Sequence, residues 1–66
     1  MISFQVNDMT CGHCVKAITQ AVQRVDQQAT VHIDLAAHRV DIEAGTTGAI
    51  ELGSAIQDAG YTPVAL

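Results

Sequence analysis

The 66-residue sequence has no tryptophan and only one phenylalanine (Phe4), one tyrosine (Tyr61) and one proline (Pro63). With so few aromatic side chains, any core has to be assembled from Val, Ile, Leu and Ala. Basic residues are equally scarce: Lys16, Arg24 and Arg39 stand against seven carboxylates, for a net charge of −4. That balance argues against nucleic acid or an anionic membrane surface as a partner, because nothing in the chain offsets phosphate repulsion. No apolar run approaches the length of a membrane span, and the N-terminus alternates where a signal peptide would run on, so the sequence predicts a cytoplasmic protein without membrane insertion. Cysteine occurs twice, at Cys11 and Cys14. In a reducing compartment, an isolated C-x-x-C reads as metal-binding or redox-active and not as a structural staple.

What is present is short-period order. Across residues 2–7, Ile2, Phe4 and Val6 alternate with Ser3, Gln5 and Asn7, the period of a half-buried strand. From about Gly12 or His13 to about Asp26, Val15, Ile18, Val22 and Val25 recur at spacings of three and four with Ala21 beside them, which predicts an amphipathic helix. Alternation returns at Ala29, Val31, Ile33 and Leu35 and again at Val40 and Ile42, with a turn around Ala36 to His38 joining the two runs as a hairpin. Gly45-Thr46-Thr47-Gly48 is turn chemistry, with Thr46 or Thr47 as the expected N-cap of a second helix whose Ala49, Leu52, Ala55, Ile56 and Ala59 share a face. Gly60 is placed to end that helix as a C′ glycine, and residues 61–66 supply a last strand that Pro63 assigns to a sheet edge.

The order βαββαβ predicts an α+β, ferredoxin-like open-faced sandwich, with both helices on one face of a four-stranded antiparallel sheet. At this length it is one domain, residues 1–66. Chain direction places the loop after the first strand, the hairpin turn and the loop before the fourth strand at the same end. The cysteines, His38 and Tyr61 should meet there.

A cysteine in the first turn of a helix faces unpaired N–H groups and the positive end of the macrodipole, which favours its thiolate. Cys14 is in that position, and the two residues separating it from Cys11 let both sulfurs converge on one ion. Two thiolates suit a soft monovalent ion such as Cu(I), which accepts two ligands, better than zinc, which takes four. Neither sulfur is expected to be needed by the core.

Met9-Thr10-Cys11-Gly12-His13-Cys14 resembles the M-x-C-x-x-C motif of heavy-metal-associated domains, the family of small bacterial copper chaperones and of the N-terminal domains of metal-pumping ATPases. The inferred element order and Ala59-Gly60-Tyr61 resemble the family as well. The resemblance implies a soluble Cu(I) chaperone, not an enzyme, that carries copper to or from a copper-transporting P-type ATPase by thiolate ligand exchange. It also implies Cys11 and Cys14 as the metal ligands, Met9 as a buried prop of the loop and Tyr61 as a residue near the metal. One departure is Asp8, where many members have glycine. Asp tolerates turn conformations, so a turn role is favoured, with an added oxygen ligand as the rival.

Around this pair, His13 is a candidate auxiliary ligand, and Thr10 and Lys16 are candidate supports of the loop and its charge. His32 and His38 read as solvated residues of a strand face and a turn. A metal-bridged homodimer is an additional expectation. The alternatives are a carrier or buffer of Zn, Cd or Hg and, from another class, a thiol–disulfide redox protein.

Overall fold

The computed structural model describes residues 1–66. The chain forms β1 (Ile2–Val6), α1 (Gly12–Val25), β2 (Thr30–Asp34), β3 (Arg39–Glu43), α2 (Ala49–Asp58) and β4 (Pro63–Ala65), the expected βαββαβ order. The sheet order is β2-β3-β1-β4, with every neighbouring pair antiparallel. The short β4 with its proline lies at an edge.

Register follows from the alternation. Phe4 pairs with Val40, and Ile2 with Ile42, so the apolar residues of the two central strands stack on one face. Ile18 and Val22 of α1, and Leu52 and Ile56 of α2, bury against them. The other face carries Ser3, His32, Arg39 and Asp41, where Asp41 accepts from Ser3 Oγ at 2.6 Å and pairs with Arg39 at 2.8 Å.

The differences from expectation lie at element ends. Val25 is 47% exposed and Ala49 is also exposed, because each sits where its helix leaves the sheet. The N-cap of α2 is Gly48 and neither threonine; the carboxylate of Glu51 reaches back to accept from the Gly48 N–H at 2.9 Å. At the end remote from the cysteines, the buried carboxylate of Asp26 accepts from the N–H groups of Gly45 (2.7 Å), Gln28 (3.1 Å) and Thr47 (3.4 Å), closing the α1–β2 and β3–α2 loops onto each other. Gly45 is required by this approach: a Cβ there would stand 2.9 Å from Asp26 Oδ1.

Candidate metal centre

The strand-to-helix junction is built by four consecutive devices. Met9 N–H donates to Val6 C=O at 3.2 Å, closing a turn over Asn7 and Asp8. The Met9 side chain is fully buried and roots the loop in the core. Cys11 then holds an extended N-cap conformation (φ −151°, ψ 170°), and its carbonyl accepts from the N–H groups of Cys14 and Val15 at 3.0 and 3.3 Å, which starts α1. Finally, Cys14 heads the inward stripe Cys14, Ile18, Val22 at spacings of four.

The two sulfurs end 3.4 Å apart in unequal surroundings. Cys11 is exposed, whereas Cys14 is 9% exposed and belongs to the core cluster. The expectation that neither sulfur serves the core therefore fails for Cys14, because the helical period that orients its thiol toward Cys11 also puts it above Ile18.

Tyr61 reaches the pair through the end of α2. Gly60 has φ 100°, its N–H donates to Gln57 C=O at 2.9 Å, and Tyr61 N–H donates to Ile56 C=O at 3.3 Å. This is a Schellman motif, which fixes the direction in which the residue after the glycine leaves the helix. Half-buried Tyr61 is thereby aimed at Cys14. The hydroxyl of Tyr61 is the foremost cause that lowers the Cys14 thiol to about 6, followed by the Thr10 N–H and the Cys11 thiol, with burial opposing. Conversely, the Cys14 sulfur, with burial and the nearby charges of Cys14, Cys11 and Asp8, pushes the Tyr61 hydroxyl up to about 12. At neutral pH the arrangement is a buried thiolate held by hydroxyl, amide and thiol donors.

The remaining candidates are placed as follows. His13 and Lys16 are exposed on the first turns of α1 without an ion pair, since the chain's one salt bridge joins Arg39 and Asp41. Thr10 is exposed and contributes its backbone N–H to the site. The Asp8 carboxylate accepts from Thr62 N–H at 3.1 Å, tying the cysteine loop to the segment that carries Tyr61. Asp8 lies in the turn without a left-handed φ, so its carboxylate accounts for its presence better than backbone tolerance does. His38 is not simply solvated: it is half-buried and its ring meets the Met9 carbonyl at 3.0 Å. Sequence patterning missed this contact because it joins residues 29 apart. Its one sequence signal was a histidine closing a hairpin turn at a place suited to glycine or asparagine. No group of three or more His, Cys, Asp and Glu side chains converges anywhere in the chain.

The heavy-metal-associated domain family matches residues 3–62. The chain is 38% identical over 61 residues to the copper chaperone CopZ of Bacillus subtilis (strain 168), covering 89% of this chain and 88% of CopZ. It is 35% identical over 63 residues to a segment of copper-transporting ATPase 1 of Rhizobium meliloti (strain 1021), covering 91% of this chain and 7% of the ATPase. The copper chaperone Atx1 from Synechocystis PCC6803, in its Cu2 form, superposes with a TM-score of 0.92 at 38% identity, covering 97% of this chain and all of that one. A fold, a cysteine loop at the β1–α1 junction and a family match over nearly the whole chain agree, and the protein belongs to the heavy-metal-associated domain family.

Proposed function

We propose that this protein is a cytoplasmic copper chaperone that holds Cu(I) between Cys11 and Cys14 and exchanges it with the related domain of a copper-transporting P-type ATPase. The observation that carries this reading is the unequal sulfur pair: a buried thiolate beside an exposed thiol, 3.4 Å apart. With sulfur–metal bonds of about 2.3 Å, sulfurs at that separation subtend roughly 95° at the ion, while linear two-coordination needs them about 4.6 Å apart. The pair has to open on loading. Cys14 is fixed by the core and by Tyr61, so Cys11, exposed at the helix N-cap, supplies the movement.

Transfer is then ligand substitution. An incoming acceptor thiolate bonds to the ion, the bond to Cys11 breaks, and a second acceptor thiolate replaces Cys14. The copper keeps its oxidation state; any proton the acceptor thiols give up passes to solvent, from which the released Cys11 takes one back, while the freed Cys14 stays a thiolate at neutral pH. In this reading Met9 roots the loop, Thr10 and Tyr61 hold the Cys14 thiolate, Lys16 moderates the charge of the loaded site and faces the partner, and His13 is an auxiliary ligand when two molecules share copper. No helix is long and apolar enough to cross a membrane.

The test is a competition titration of the reduced apoprotein against a chromophoric Cu(I) chelator, run beside the same titration with Zn(II). One Cu(I) held per chain, with zinc bound weakly, supports the reading. Comparable zinc retention, or loss of copper to a weak chelator, overturns it in favour of a carrier of another metal. Sedimentation of apo and loaded protein tests the metal-bridged homodimer: a dimer only in the loaded sample supports it, and a monomer at every loading refutes it.

A further inference from the structure

His38 is the only non-glycine residue with a left-handed backbone, at φ 54°. That conformation is disfavoured for a side chain bearing a Cβ, and glycine or asparagine would take it more easily. Something has to offset its cost here, and the ring does so. A carbonyl oxygen only accepts, so the 3.0 Å contact of His38 Nδ1 with Met9 C=O is an N–H donated by the imidazole. Met9 is fully buried, and its carbonyl has no other protein partner. An unpaired carbonyl there would be left without water or a donor. In addition, the His38 carbonyl accepts from Val6 N–H at 2.7 Å. One residue of the hairpin turn thus grips both ends of the turn that leads into the metal loop.

The Met9 carbonyl shares a planar trans peptide with the Thr10 N–H, and the two point in opposite directions. On one side stands the His38 ring; on the other, the Thr10 N–H is directed to the Cys14 sulfur. Fixing the carbonyl fixes the amide, and a donor on the oxygen polarises the N–H opposite it. We propose that His38 is a positioning residue for the metal site: its ring N–H orients the Met9–Thr10 peptide so that the Thr10 N–H stays aimed at the Cys14 sulfur. The copper arm of the test rests on the chaperone reading, and the metal-free arm does not.

The test compares His38→Gly, which suits the backbone conformation and deletes the donor, with His38→Asn, which tolerates the conformation and carries an amide N–H close to the place of Nδ1. His32→Ala, on the polar sheet face, is the control. Cu(I) retention against a chelator and the apo-state NMR shift and exchange rate of the Thr10 amide are measured for all, with urea midpoints to confirm folding. One hydrogen bond is worth roughly two- to tenfold in an equilibrium constant. His38→Gly is expected to weaken Cu(I) retention by about that factor and to move the Thr10 amide, while His38→Asn recovers both and His32→Ala changes neither. A residue that merely shapes the turn would leave glycine at the wild-type values, which overturns the proposal. Equal loss in the Gly and Asn variants overturns the donor role as well. If wild-type protein fails to retain Cu(I), the chaperone reading falls, and the Thr10 amide in the apoprotein still decides the role of His38.

Discussion

Lowering the Cys14 thiol from 9.0 to about 6 changes what the apoprotein is at neutral pH. At pH 7 a group with a pKa near 6 is about nine-tenths thiolate, whereas one near 9 is about one-hundredth ionised. The perturbation that tests this is Tyr61→Phe, which deletes the foremost cause of the lowering and leaves the Thr10 and Cys11 donors in place. The assay is ultraviolet thiolate absorbance against pH, with Cys14→Ser subtracted to isolate one sulfur. Tyr61 is the sole tyrosine and is pushed up to about 12, so phenolate absorbance stays clear of the window. Wild-type protein is expected to show a step near pH 6, and Tyr61→Phe a step at higher pH. The linkage has a definite sign: a thiol depressed on folding adds stability that is full above the unfolded value, declines as pH falls from about 9 to about 6, and is gone below. The urea midpoint of the apoprotein should therefore fall across that range by more in wild type than in Cys14→Ser. A wild-type step centred near pH 9, or no movement in Tyr61→Phe, would refute the account of the thiolate.

Three more outcomes follow from the geometry. Gly60→Ala meets no atom within 4 Å of its new Cβ, so its cost is that of a left-handed backbone, about 1–2 kcal/mol, which corresponds to roughly 5–15 °C in Tm for a domain of this size; an unchanged melt would contradict the Schellman geometry. Met9→Ala removes a fully buried side chain and is expected to cost about 2–5 kcal/mol, enough to leave so small a domain partly unfolded by circular dichroism; full retention of stability would mean that Met9 is not the root of the loop. Asp26 is depressed on balance: burial raises it, and the N–H groups of Gly45, Gln28 and Thr47 outweigh burial. Its contribution to stability is thus present above the usual carboxylate range and lost as pH falls through the lower folded value. Asp26→Asn should lower the urea midpoint at pH 7 and flatten its fall in acid, and parallel acid profiles would exclude the latch.

Much of this was legible in the sequence because it is carried by periods. Alternation fixed which faces of β1, β2 and β3 turn inward, and the shift to spacings of three and four marked α1 to within a residue. Gly60 announced the end of α2. What stayed hidden are contacts between residues far apart in sequence that have no periodic signature: Asp8 to Thr62, His38 to Met9, Asp26 to Gly45. Each uses one side chain to satisfy a backbone group in a loop, and a loop's path is set by the elements it connects. The burial of Cys14 was hidden for a different reason. A reading fixed on the pair as a chelate treats both sulfurs alike, although the spacing Cys14, Ile18, Val22 already placed one of them on the core stripe.

That inequality also bears on the choice between carrying a metal and exchanging disulfides. A thiol–disulfide catalyst attacks its substrate with an activated thiolate, and the attack requires access to an incoming sulfur pair. Here the activated sulfur is the buried one, with Tyr61 and the Thr10 amide occupying its surroundings, while the accessible sulfur, Cys11, sits at the loop's free end. Such an order hinders nucleophilic attack and, under the proposed function, suits retention: the deep thiolate would be the last ligand to let go, and the outer one would yield its place to an acceptor. Tight holding and ready release then belong to different residues. A change that exposes Cys14 should erode retention before transfer, whereas one that stiffens Cys11 should slow transfer while leaving retention in place.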